Sequence, residues 1–178
     1  EVSDATVVDG FWIRDGFAND LDGFANDDDR GGGWLNYGNP QILNCIFIGN
    51  CAEALGGALY NFSASPYIFN CRFIGNRAES DGNGQGGAMH NDGADERISN
   101  PRIFNCFFTE NYAYIFGGAI FNIGSQGNAS PEIFNTVFDS NIAGFKGGAM
   151  YSDGSFGISH AKLYNTAFYN NQSPQGSA

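Results

Sequence analysis

One segment, written almost five times over, limits what this chain can become. Asn39–Asn61 reads NPQILNCIFIGNCAEALGGALYN, and variants of it begin at Ser65 (SPYIFNCRFIGN), Asn100 (NPRIFNCFFTEN), Ser130 (SPEIFNTVFDSN) and His160 (HAKLYNTAFYNN). Four copies close on Gly-Gly-Ala, at Gly56, Gly86, Gly117 and Gly147, and GGGWLN at Gly31–Asn36 supplies the closing half of an earlier one. Counted from Asn44, Asn70, Asn105, Asn135 and Asn165, the copies lie 26, 35, 30 and 30 residues apart. Periods of this length belong to stacked-repeat architectures. Within a copy, apolar residues alternate in short bursts, and Gly or Pro interrupts them at short intervals. No helical period is present, so each copy reads as about three short strands joined by tight bends, one coil of a parallel β-helix. The expected fold is all-β, a single-domain solenoid of about five to six coils, with residues 1–30 as an opening coil plus acidic loop and 31–178 as repeats.

The fixed positions of the repeat have physical reasons. Asn recurs in three columns: Asn44, Asn70, Asn105, Asn135 and Asn165; then Asn50, Asn76, Asn111, Asn141 and Asn171; then Asn61, Asn91 and Asn122. Asn tolerates left-handed dihedrals at a bend, and its amide can bond the Asn of the next coil. Such ladders are expected to satisfy the polar groups of a buried turn. Phe47, Phe73, Phe108, Phe138 and Phe168, with Ile42, Ile68, Ile103, Ile133 and Leu163, are expected to stack inward at ~4.8 Å per coil. The Gly-Gly pair marks a bend where a Cβ would clash. Length varies in two places, before Gly-Gly (Ser80–Gln85) and after the third Asn (Asp92–Ser99), as loops between coils should.

Alternation assigns other columns to the outside. The first holds Leu43, Phe69, Phe104, Phe134 and Tyr164. Two more hold Ile46, Arg72, Phe107, Val137 and Ala167, and Ile48, Ile74, Thr109, Asp139 and Tyr169. The first column is apolar in every copy, and contiguous exposed apolar surface usually marks an interface. Three readings stand: an interface with a partner subunit, a core column if a bend resets the parity, or an aromatic ladder carried on the surface. Open strand edges at incomplete end coils add head-to-tail stacking as a route to a homo-oligomer or homopolymer.

A net charge of -11 with only two Lys argues against nucleic acid or an anionic membrane as partner. No apolar run is long enough for a transmembrane helix. The chain starts at Glu1 without Met or an apolar leader, which reads as a processed or trimmed chain. Nine of the nineteen acids precede Arg30. Among them Asp20, Asp22, Asp27, Asp28 and Asp29, with Asn26, cluster oxygens of the kind hard cations use. A plain solvated acidic loop is the default reading, and Ca²⁺ ordering the loop is the alternative. Cys45, Cys71 and Cys106 share a column continued by Thr136 and Thr166, which reads as core packing of small residues. A Cys45–Cys71 disulfide is the alternative that neighbouring coils allow. Cys51 is expected to be partly exposed, and the absence of CxxC spacing and of His partners speaks against zinc.

No catalytic constellation emerges. Glu110, Glu132 and Asp139 fall in different columns or lack partners, His90 and His160 are on separate coils, and Asp92, Asp95, Glu96 and Asp153 read as solvated loop residues. With only four Thr, the regular arrays of an ice-binding surface are missing. Of the N-x-S sequons at Asn61, Asn128 and Asn171, Asn128 is the one expected in a loop. The pairing of GGA(I/L/M) with FxxN, at Phe47, Phe73, Phe108, Phe138 and Phe168, resembles the polymorphic outer membrane protein repeat first named in chlamydiae. More broadly it resembles right-handed parallel β-helix proteins of the bacterial surface, over roughly Gly31–Asn171. Unlike full-length chlamydial members, this sequence shows no C-terminal membrane barrel. The resemblance implies an extracellular or cell-surface location and a structural or adhesive, non-enzymatic role. Self-assembly into a filament or surface layer is the leading expectation. A carbohydrate-binding module with glycan partners, or less favourably a polysaccharide lyase, is the competing class.

Overall fold

The computed structural model describes residues 3, 5–19 and 28–176, and every regular element in it is a short strand. Four parallel sheets run along one axis. Sheet A holds Val7–Asp9, Gln41–Leu43, Tyr67–Phe69, Arg102–Phe104, Glu132–Phe134 and Lys162–Tyr164. Sheet B holds Trp12–Arg14, Ile46–Ile48, Arg72–Ile74, Phe107–Thr109, Val137–Asp139 and Ala167–Tyr169. Sheet C is made of two-residue strands: Phe17–Ala18, Cys51–Ala52, Arg77–Ala78, Tyr112–Ala113 and Ile142–Ala143. Sheet D holds Trp34–Asn36, Leu59–Phe62, Met89–Asp92, Ile120–Ile123 and Met150–Asp153. Each strand pairs with its equivalent one coil away, so Ile42 faces Ile68 and Asn61 faces Asn91. The result is a parallel β-helix of five coils with a sixth begun. Each coil has four strands instead of the three expected, because a two-residue strand is too short to show alternation in a sequence.

Inside, the phenylalanine column stacks as expected. Phe47, Phe73, Phe108, Phe138 and Phe168 lie with successive ring centroids 4.8, 4.6, 4.9 and 5.0 Å apart and planes within 9° of parallel. Ile42, Ile68, Ile103 and Ile133 from sheet A and Leu59, Met89 and Ile120 from sheet D close the core around them. Val8 and Ile13 pack against this cluster, but Phe11 does not. It is 60% exposed, because it falls in the column that holds Cys45, too narrow for a ring.

Bends differ in how they turn. Between sheets A and B the ladder Asn itself is left-handed, with φ of 52, 54, 53, 48 and 46° at Asn44, Asn70, Asn105, Asn135 and Asn165. Between B and C, the left-handed residue is instead the one before the ladder Asn: Gly49, Gly75, Glu110, Ser140 and Asn170. Asn50 and its equivalents keep ordinary dihedrals, so the left-handed turn that a ladder Asn tolerates is used at the A–B corner and not at this one. At the Gly-Gly corner the two glycines have separate jobs. Gly56 needs a positive φ (66°), while a Cβ on Gly57 would sit 2.2 Å from the Gly87 carbonyl oxygen of the next coil.

The cysteine column is a thiol column. The Cys45 N–H donates to Cys71 Sγ at 3.4 Å, the Cys71 N–H to Cys106 Sγ at 3.4 Å, and the Cys106 N–H to Thr136 Oγ1 at 3.3 Å. That explains why Cys and Thr exchange there: the column needs a small side chain that accepts a hydrogen bond from the coil before it. Cys51 is half-buried, and its thiol is pushed up to about 11, first by desolvation and then by Glu79.

Candidate functional site

The outer column of sheet A is on the surface and stacked on itself, so no bend resets the parity. Phe104 and Phe134 lie 4.6 Å apart with planes within 2°, and Phe134 and Tyr164 repeat this at 4.6 Å and 9°. Tyr67 bridges Phe69 (6.4 Å) and Phe104 (5.3 Å). Leu43 and the three phenylalanines are half-buried, by their neighbours in the column; Tyr164 is 48% exposed. Rings stacked in this way show solvent their edges, because their faces are covered by one another. Sheet B adds Trp12 at 66% exposed and Phe107 at 47%. These two faces are poor in acid. The outward positions of sheet A hold two carboxylates, Asp9 and Glu132, against Arg102 and Lys162. Those of sheet B hold one, Asp139, against Arg14 and Arg72.

Four polar ladders climb the corners. The first is solvent-facing: Asn70 Nδ2 donates to Asn44 Oδ1 (2.7 Å), Asn135 to Asn105 (3.2 Å) and Asn165 to Asn135 (2.8 Å). The second is sealed through Asn141. Asn76 Oδ1 takes both the backbone N–H and the side-chain amide of Asn50, each at 3.0 Å, and Asn76 Nδ2 donates in turn to Asn111 Oδ1 (3.0 Å) and to the Phe47 carbonyl (3.1 Å). Asn141 and Asn171 repeat the pattern. The third runs Asn36, Asn61, Asn91, Asn122, Ser152 at 2.8 to 3.0 Å. A fourth was missed by sequence reasoning: Asn39, Ser65, Asn100, Ser130 and His160, at the corner from sheet D to sheet A. Here each side chain accepts the backbone N–H of the next member, at 2.6, 2.8, 2.5 and 3.0 Å. Its signal was present, since the first four members each precede a proline.

Outside sheet D, outward side chains are sealed instead of exposed. Tyr60, His90, Phe121 and Tyr151 share that column, and Ala54, Leu55, Leu35 and Phe62 pack around Tyr60. His90 sits 5.2 Å from the Tyr60 ring and 5.0 Å from Phe121, and burial pushes its pKa down to about 4. Tyr60 Oη donates to Asp92 Oδ2 at 2.6 Å and Arg97 reaches Asp92 Oδ1 at 3.3 Å. Burial opposes charge on Asp92, but the Tyr60 hydroxyl, His90, the Ala94 N–H and Arg97 outweigh it and hold the carboxyl below its ordinary value. Asp92, expected as a solvated loop residue, is therefore buried at the end of a strand.

The remaining expected sites fare unequally. Asp20, Asp22, Asn26 and Asp27 lie outside the described residues. Asp28 is exposed, and Asp29 Oδ1 faces Arg30 Nε at 3.4 Å. Among the described residues, no group of three or more His, Cys, Asp and Glu is placed to hold a metal ion. Asn61 and Asn171 are ladder members, while Asn128 is half-buried and accepts from Ser130 Oγ at 2.6 Å. Several shallow hollows mark the surface of the described residues. One of about 600 Å³, between Ile142–Gly144 and Asn171–Pro174, has no ionisable side chain; one of about 460 Å³ holds Glu96 and Arg97; and one of about 440 Å³ at the D–A corner has four ionisable side chains: Arg102, Glu132, His160 and Lys162.

Parallel sheets, in-register coils and hydrogen-bonded amide ladders define a β-helix repeat protein. The family model of the Chlamydia polymorphic membrane protein repeat matches residues 44–61, which run from the first ladder Asn to the end of the Gly-Gly-Ala corner and the third ladder Asn. Match and solenoid together fit a β-helix repeat protein of that polymorphic membrane protein type, a family of membrane-associated surface proteins. No curated protein and no solved structure matches the chain. Among the described residues no helix is long and apolar enough to cross a membrane.

Proposed function

We propose that this chain is a non-catalytic, secreted or cell-surface β-helix module whose A–B face seats a second copy, building a filament or surface layer. One observation carries the reading: in a chain of net charge -11, the outward positions of sheets A and B hold three carboxylates (Asp9, Glu132, Asp139), four cations (Arg14, Arg72, Arg102, Lys162) and most of the stacked aromatic surface. Folding does not require apolar side chains there, and contiguous patches of this kind mark interfaces. Keeping acid off the patch lets two strongly negative chains approach without like-charge repulsion. The repeat match supports the surface location.

Sedimentation velocity and negative-stain electron microscopy of the purified chain and of Phe107→Glu test it. The native chain should form species larger than a monomer, growing with concentration. Phe107→Glu should shift the distribution to monomer while keeping the same β spectrum. A native chain that stays monomeric and forms no ordered assembly at high concentration overturns the proposal.

A further inference from the structure

The hollow at the D–A corner differs in chemistry from the aromatic ridge, and it lies on the opposite margin of sheet A. Its acceptors are already engaged. Asn100 Oδ1 takes the Ser130 N–H, Ser130 Oγ takes the His160 N–H and donates to Asn128 Oδ1, and Glu132 faces both Lys162 Nζ (3.0 Å) and Arg102 Nε (3.6 Å). The donors are left over. The Nδ2 groups of Asn100 and Asn128 and the ring of His160 have no acceptor among the described residues. Arg102 faces Glu132 through Nε and lies 5.3 Å over the Phe104 ring, while its two Nη groups have no acceptor among the described residues. Two cations against one carboxylate give the hollow a positive balance in an otherwise acidic chain. Ile158, 46% exposed, supplies an apolar wall.

A cleft that offers donors and cations selects a ligand rich in acceptors and carrying a carboxylate, which an Arg fork holds best. We infer that the D–A corner binds a carboxylated saccharide chain of the uronic acid class. An acidic peptide has the charge but would also need main-chain partners. At this corner the backbone N–H groups of Ser130 and His160 are already taken by the fourth ladder, and those of Arg102, Glu132 and Lys162 by the carbonyls of Pro66, Pro101 and Pro131. Saccharide hydroxyls and ring oxygens ask only for the side-chain donors on offer, and the pyranose C–H face suits Ile158. The corner shares Arg102, Glu132 and Lys162 with the outward face of sheet A but not Phe107 of sheet B, so a substitution at Phe107 tests self-association without touching the corner.

Isothermal titration calorimetry of the full chain at low salt decides it, with a galacturonic acid trimer, the neutral galactose trimer of the same linkage, and triglutamate as probes. The uronate trimer should bind at least about tenfold more tightly than either control, the scale of one charge-assisted hydrogen bond. Arg102→Gln and Asn128→Asp should each weaken it by about the same factor, with unchanged melting temperature. Phe107→Glu should leave the affinity intact even if it abolishes assembly, so the two proposals can fail separately. Equal binding of the neutral trimer, tighter binding of triglutamate, indifference to both corner variants, or no heat with any probe would each overturn the inference.

Discussion

Two columns of aromatic rings climb this molecule with nearly the same geometry. Inside, Phe73, Phe108 and Phe138 stack at 4.6 and 4.9 Å; outside, Phe104, Phe134 and Tyr164 stack at 4.6 Å. The spacing in both is imposed by the rise between coils, so stacking distance cannot tell a structural column from a functional one. Burial can. The inner rings are 0% exposed, and the outer ones are sheltered only by each other and by their surface neighbours Tyr67 and Arg102. The inner column is what the solenoid needs to stand, and the outer column is surface that the fold tolerates and a partner can use.

Substitution should separate the two columns most sharply at the rings themselves. Phe108→Ala empties a sealed site and should cost about 3–5 kcal/mol in urea or thermal unfolding. Phe104→Ala, one strand away and half-exposed, should cost no more than about 1 kcal/mol. Equal losses would mean that the outer column is core after all. The amide ladders repeat the contrast at a smaller scale. Asn111→Ala strips acceptors from the Asn76 backbone and side chain and a donor from the Phe73 carbonyl, all buried, for a loss of about 3 kcal/mol. Asn105→Gly removes a half-buried, solvent-edge rung whose φ of 53° glycine adopts freely, and should stay within about 0.5 kcal/mol of the native chain.

The smallest effect at neutral pH belongs to the third setting, the sealed outward column on sheet D. His90 is pushed down to about 4 in the folded chain, against about 6.5 when exposed. The unfolded chain therefore takes up the proton first. The stability contribution is complete above the unfolded value and is lost as pH falls from about 6.5 to about 4, by no more than about 3 kcal/mol. Asp92, held low when folded, withdraws its own contribution only at still lower pH. His90→Phe should flatten the melting-temperature profile between pH 6.5 and 4. A profile as steep as the native one would assign the acid sensitivity elsewhere.

The repeat made the architecture legible because each coil tests the same pattern again. Phe47 alone is one apolar residue; Phe47, Phe73, Phe108, Phe138 and Phe168 at matching offsets are a stack. What escaped reading recurs with the coil but carries no alternation or single residue type to mark it. Sheet C strands such as Arg77–Ala78 are too short to alternate. The cover over Tyr60 and His90 comes from bend residues such as Leu55, whose direction depends on the turn before them. The fourth ladder mixes Asn, Ser and His, so no single residue type announced it, although its members share one task. Candidate surfaces were legible by parity, as with Phe104 and Phe134. The D–A corner was not, because its donors come from three segments that meet only when the coil closes.

The rung-to-rung bonds described above each join neighbouring coils, and Asn105, Asn135 and Asn165 are spaced by an unchanging 30 residues. The stretch from Pro101 to Ser130 is thus an interchangeable cassette, with matching sockets on its two sides. Copying it would lengthen the rod by ~4.8 Å without altering its girth or its corners. Reach and cross-section are independent dials in this molecule, and only the number of cassettes sets the first.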